Sequence, residues 1–80
     1  MSTDTTAPAD TLGDALPREM ARVRDEVMPQ YLAVRRIPGV NVEWVLTRMR
    51  ASLDRAAKAM AEGDVVAMLR AYQDLKGYTT

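Results

Sequence analysis

Glu62-Gly63-Asp64 decides the fold of this chain. A helical pattern runs into it from Asn41, and a second runs out of it to Lys76. Glycine best tolerates the left-handed backbone that closes a helix, and aspartate is among the best residues to open one. The junction therefore predicts an antiparallel helical hairpin. Upstream of it, Val42, Leu46, Met49, Leu53, Ala56 and Met60 recur at spacings of four, three, four, three and four. That is a heptad-like seam suited to packing on another helix at a shallow angle. Val42, Leu46, Met49, Leu53 and Met60 are the candidate residues for a core or oligomer seam. Trp44, Val45, Ser52, Ala57, Ala59 and Ala61 lie off it, so the helix is apolar on more than one face and should have two neighbours. Downstream, Val65, Met68, Leu69, Tyr72 and Leu75 keep helical spacing until Gly77.

Working back toward the N-terminus, Ile37-Pro38-Gly39-Val40 reads as a turn, with Asn41 the cap of the next helix and Glu43 in its first turn. Before the turn, Leu16, Met20, Val23, Val27 and Tyr31 mark one face of an amphipathic helix. Thr11 or Asp14 can cap it, and Pro17 fits its first turn. Pro29 interrupts the pattern, yet Tyr31, Leu32 and Val34 continue it. A kinked helix is expected rather than two helices. The expected architecture is an all-α, three-helix domain with helices near 15–35, 42–62 and 65–76. Residues 14–80 form one domain. Residues 1–13 hold five Ser or Thr and only Leu12 as a large aliphatic after Met1, so they are expected to be a disordered tail.

Composition narrows the function. There is no Cys and no His. That removes disulfides, thiol nucleophiles, the commonest general base and most metal ligands. The four Gly stand apart, so no phosphate-cradling loop is present. Asp25 and Glu26 are adjacent on a helix and diverge by about 100°, so they do not converge on one substrate. A non-enzymatic protein without metal or cofactor is expected. The five internal methionines (Met20, Met28, Met49, Met60 and Met68) read as core filler. A chain this short usually needs a staple, and without disulfide or metal the remaining one is self-association. A homodimer or higher homo-oligomer is therefore expected.

Net charge is zero, from eleven basic and eleven acidic residues, but it is unevenly spread. Asp4, Asp10 and Asp14 make the first fourteen residues acidic. Arg35, Arg36, Arg48, Arg50, Arg55 and Lys58 outweigh Glu43 and Asp54 between positions 35 and 60. Arg35, Arg36, Arg48 and Arg50 are candidates for a basic patch, with Trp44 a candidate interface anchor or a staple on the turn. Solubilising charge is the competing account of those arginines. DNA reading through the hairpin is disfavoured. The helix after Gly63 carries Asp64 and Asp74 against Arg70 and Lys76, with only Gln73 to read bases. The connection is also shorter than a usual helix-turn-helix turn. No segment has the length of apolar sequence that spans a membrane, and the first residues lack the pattern of a signal peptide. A cytoplasmic location is expected.

The stretch from Ala61 to Tyr72, closing with Leu75-Lys76-Gly77, resembles small uncharacterised helical proteins of Mu-like transposable phages and prophages. There it follows a Pro-containing helix like Val27-Met28-Pro29-Gln30-Tyr31 and a Gly-rich turn. The resemblance implies a phage accessory role, in which such proteins bind and disable a host or defence component. It carries over no catalytic residue. The expected function is thus a protein-binding module, a phage-encoded modulator or inhibitor of a host or defence protein. The alternative is a binder or sponge for a nucleotide-type signal held between protomers, with Arg for phosphate and Trp or Tyr for the base. A DNA-binding helix-turn-helix protein comes third.

Overall fold

The computed structural model describes residues 11–79. Among them every regular element is helical, and the fold is an all-α, three-helix domain. Helix α1 spans 12–34 in three consecutive segments: Leu12–Arg22, a π-helical turn Val23–Val27, and Met28–Val34. Helix α2 is Glu43–Glu62 and helix α3 is Val65–Lys76.

Helix α1 begins at Leu12, inside the stretch expected to be a tail; the rest of that expected tail, 1–10, lies outside the described residues. Thr11 takes the capping position with extended backbone, and its carbonyl accepts from Asp14 and Ala15 N–H. Its hydroxyl donates to the Asp14 carboxylate at 3.0 Å rather than serving the backbone. The chain passes Pro29 without a break. A proline ring in an α-helix clashes with the carbonyl four residues earlier and offers no N–H to it. Here the turn before Pro29 widens instead. Met28 N–H bonds the Val23 carbonyl, an i→i+5 closure, and Pro29 then sits at the start of the following α-helical segment. The helix continues past Pro29 as expected, and a π-turn lies where the kink was expected.

At the hairpin junction, Gly63 lies in the left-handed region at φ 67°, ψ 24°. Asp64 N–H bonds Ala59 O and Gly63 N–H bonds Met60 O, the pair of bonds that ends a helix in a Schellman motif. Asp64 then opens α3, its carboxylate accepting from Ala67 N–H at 3.1 Å. The turn before α2 also matches its pattern: Val40 N–H bonds Ile37 O across Pro38 and Gly39, with Gly39 at φ 86°. Helix α2 starts one residue later than the sequence suggests. Val42 holds the capping position, while the Asn41 carboxamide accepts from Glu43 N–H. Gly77 ends α3 at φ −72°, so its stop owes nothing to a left-handed backbone.

The core is built from Leu16, Val23, Val27, Met28, Val42, Leu46, Met49, Ala56, Ala71 and Leu75. Helix α3 packs along α2 and against the Leu12–Arg22 segment of α1, while both ends of α1 touch α2. The seam of α2 therefore faces its own chain. Val42, Leu46 and Met49 are buried, and Leu53 and Met60 pack half-buried on the core. Burial on α2 then drifts from the seam to Ser52 and Ala59, the side that α3 covers. This is the second apolar face of α2, satisfied within the hairpin. The α1–α3 contact carries a polar tie as well. Arg22 pairs with Glu19 and donates to Leu75 O at 3.0 Å, supporting a carbonyl at the C-terminal end of α3.

Candidate functional site

The residues singled out from sequence do not form one cluster. Arg35, in the C-terminal cap of α1, makes a two-pronged ion pair with Glu43 in the first turn of α2, including Nη2–Oε1 at 2.9 Å. It buckles the 35–42 connection, and its guanidinium is occupied. Arg48 and Arg50 sit two positions apart on α2, so they point about 200° from one another. Arg48 shares a side with Trp44 at i,i+4, whereas Arg50 lies on the other flank, nearer the direction of Asp54. Arg36, Arg48 and Arg50 are exposed and make no hydrogen bond or ion pair within the described residues.

Trp44 is 61% exposed. It stands on the first turn of a twenty-residue helix. Three further apolar side chains are exposed around the same connection: Leu32 at the end of α1, and Ile37 and Val40 on either side of Pro38-Gly39. The chain leaves α1 at Val34 and enters α2 at Glu43, so all of these lie at one end of the hairpin. The Arg35–Glu43 pair ties the two helix termini together. Leu32, Ile37 and Val40 were not singled out from sequence. For Ile37 and Val40 the available signal was their place beside a Pro-Gly turn, where a side chain has little protein to pack on.

A second surface lies at the opposite end, along the α2–α3 groove, a depression of about 520 Å³. Arg55 and Asp74 span it with an ion pair at 3.2 Å. Arg55 also donates to Ser52 Oγ, and that hydroxyl meets Tyr78 Oη at 2.9 Å. Ser52 is 1% exposed, so this network satisfies a buried hydroxyl and ties the C-terminal segment to α2. Arg55 was grouped by sequence with the basic stretch; the structure gives it this internal duty. Beyond the network the groove is lined by Ala59, Ala67, Ala71 and Val66 together with the charged Lys58, Glu62, Asp64 and Arg70. Val65, Val66 and Leu69 on α3 are all exposed.

Charge elsewhere is ordinary surface pairing. The Arg24 guanidinium hydrogen-bonds Asp25 at 2.8 Å, which holds the Asp25 carboxyl below the usual aspartate range. Lys76 Nζ sits 5.3 Å from the Tyr72 ring centre, a cation–π contact on α3. The described residues contain no group of three or more His, Cys, Asp or Glu side chains placed to hold a metal ion. No helix among them is long and apolar enough to cross a membrane. Comparison with protein-family models, characterised proteins and solved structures finds no match.

Proposed function

We propose that this chain is a non-enzymatic protein-binding module, and that it docks by the end of the molecule around Trp44. The observation that carries this reading is the exposed indole on a rigid helix turn. Trp is the residue most enriched among side chains that dominate binding energy, and it acts as an anchor when a partner buries it. An indole left in water forgoes burial that a three-helix core could have used. Around it, Leu32, Ile37 and Val40 extend the apolar area, and Arg36 and Arg48 supply unpaired positive charge. A partner with an apolar cleft and an acidic rim fits this surface. Arg48 can reach such a rim beside the buried indole, while Arg35, held by Glu43, shapes the connection instead.

The resemblance to phage accessory proteins gives the partner a setting. The chain would act in the host cytoplasm as a modulator or inhibitor of a host or defence protein, by occluding a surface rather than by chemistry. The test is affinity capture from host extract with tagged wild type, Trp44→Ala and Arg36→Glu/Arg48→Glu, quantified by mass spectrometry. A partner retained by wild type and lost by both variants is expected. Equal capture by the folded variants refutes this docking surface.

A further inference from the structure

We infer that the α2–α3 groove is a self-complementary surface that pairs two copies of this chain. The sequence pointed to self-association through the α2 seam, but that seam is turned inward. The outward face of the hairpin has the features that seam lacks. Its apolar centre is Val66, 61% exposed on the first turn of α3, with the small, half-buried Ala67 beside it.

The charges around Val66 are ordered along the helices. Toward the Gly63 turn lie Glu62 on α2 and Asp64 on α3; away from it lie Lys58 on α2 and Arg70 on α3. All four line the same groove. Lys58, Arg70 and Glu62 make no ion pair within the described residues, and Asp64 keeps one oxygen on the α3 cap. Farther out, Arg55 and Asp74 neutralise each other. The face therefore has two positive groups, then Val66, then two negative groups.

A two-fold axis lying across the hairpin at the level of Val66 reverses the direction of the helices and nothing else about the face. Lys58 then meets Glu62 of the second copy, Arg70 meets its Asp64, and Val66 meets Val66. At a rise of 1.5 Å per residue, the midpoint of 58 and 62 falls about 4.5 Å from Gly63, and so does Val66. The midpoint of 64 and 70 falls about 6 Å from it. One axis thus serves both helices. This is the signature of an isologous contact, in which each pair is made twice. The surface is small. A twelve-residue α3 is about 18 Å long, and two helices are about 20 Å across, so the flat footprint is roughly 360 Å². Standard complexes bury about 800 Å² per partner, so the pairing is weak and concentration-dependent.

Sedimentation equilibrium of the full chain from micromolar to about 1 mM tests this, the upper limit matching a contact worth only about 4 kcal/mol. A shift from 8.9 kDa toward twice that mass is expected, and it should weaken with salt. Val66→Glu sets two carboxylates against each other on the axis and should weaken the pairing at least tenfold. It should leave the fold intact by circular dichroism, since an acidic residue suits the first turn of a helix. Lys58→Glu should also dissociate the pair, and adding Glu62→Lys in the same chain should restore it. A wild type that stays monomeric at about 1 mM overturns the inference. So does a dimer that survives Val66→Glu, a charge swap that fails to restore pairing, or a dimer lost on Trp44→Ala instead.

Discussion

Exchanging glycine for alanine at two positions should give opposite signs, and the sign tests the hairpin junction directly. Gly63 occupies φ 67°, ψ 24°, and an alanine Cβ there would meet nothing within 4 Å. Any cost is therefore backbone conformation and not a clash. Holding an L-residue left-handed costs about 1–2 kcal/mol. The alanine makes the unfolded chain stiffer, which offsets roughly 0.4–1 kcal/mol of that. Gly63→Ala should thus lose about 1 kcal/mol net, or about 4–8 °C in Tm for a domain of this size. Gly63→Asn should lose less, because Asn visits this region readily. Gly13 lies inside α1 without a positive φ, and its added Cβ would touch only Thr11 Oγ1 at 3.7 Å. Gly13→Ala should gain about 0.5–1 kcal/mol. Urea unfolding followed by circular dichroism reads both. The reasoning fails if Gly63→Ala is as stable as wild type, or if both substitutions move stability in the same direction.

Leu46 is fully buried in the first turn of α2, so Leu46→Ala should cost about 2–5 kcal/mol and leave this small domain largely unfolded at 37 °C, seen as loss of cooperative melting. Ser52→Ala and Tyr78→Phe should each cost about 1 kcal/mol, and the double variant less than the sum in a denaturation cycle, because the two hydroxyls bond each other. The Asp25 carboxyl should titrate below the ordinary aspartate range in a carboxyl-carbon NMR titration, and Arg24→Gln should return it there. Because its folded value is the lower one, the small stabilisation it gives is present above the ordinary aspartate pKa and fades as pH falls through the depressed value. Arg22→Met should lower stability by about 1–3 kcal/mol while keeping much of the side chain's packing, since it removes the bonds to Glu19 and Leu75 O; chemical denaturation measures it.

The elements were legible where local chemistry is decisive. Gly63 and Asp64 can do little else so well, and the backbone they adopt is the one their types favour. Pro38-Gly39 fixes its turn for the same reason. Pro29 shows the limit of local reading. Its pattern says that the helix continues, but how the clash is relieved depends on what must be buried. Val23, Val27 and Met28 are all buried across the wide turn, which keeps three core side chains facing inward while the ring is accommodated. That is a tertiary choice, and no property of residues 23–29 alone contains it. The arginines are spread by a simpler cause. Arg48 and Arg50 are close in sequence, and helical geometry sends them to different sides. Arg35 had a carboxylate eight residues away that only the turn could deliver.

The two faces of α2 explain where interaction surfaces can lie at all. A helix apolar on two sides needs two neighbours, and it can find them within its own chain or outside it. Here α1 takes one and α3 takes the other, down to Ser52 and Ala59, so the longest apolar run in the chain is consumed in making the monomer. Among what remains outside are Trp44 with its turn at one end and Val66 with its charges along the hairpin at the other. These surfaces differ in kind. The first is apolar with unpaired arginines and has no acidic counterpart of its own beyond Glu43, which Arg35 already holds. It cannot pair well with a copy of itself, because like charges would meet. The second carries both signs in an order that a two-fold rotation matches. The proposed partner at Trp44 and the proposed second copy at Val66 would therefore not compete, and such a dimer would present two Trp44 ends.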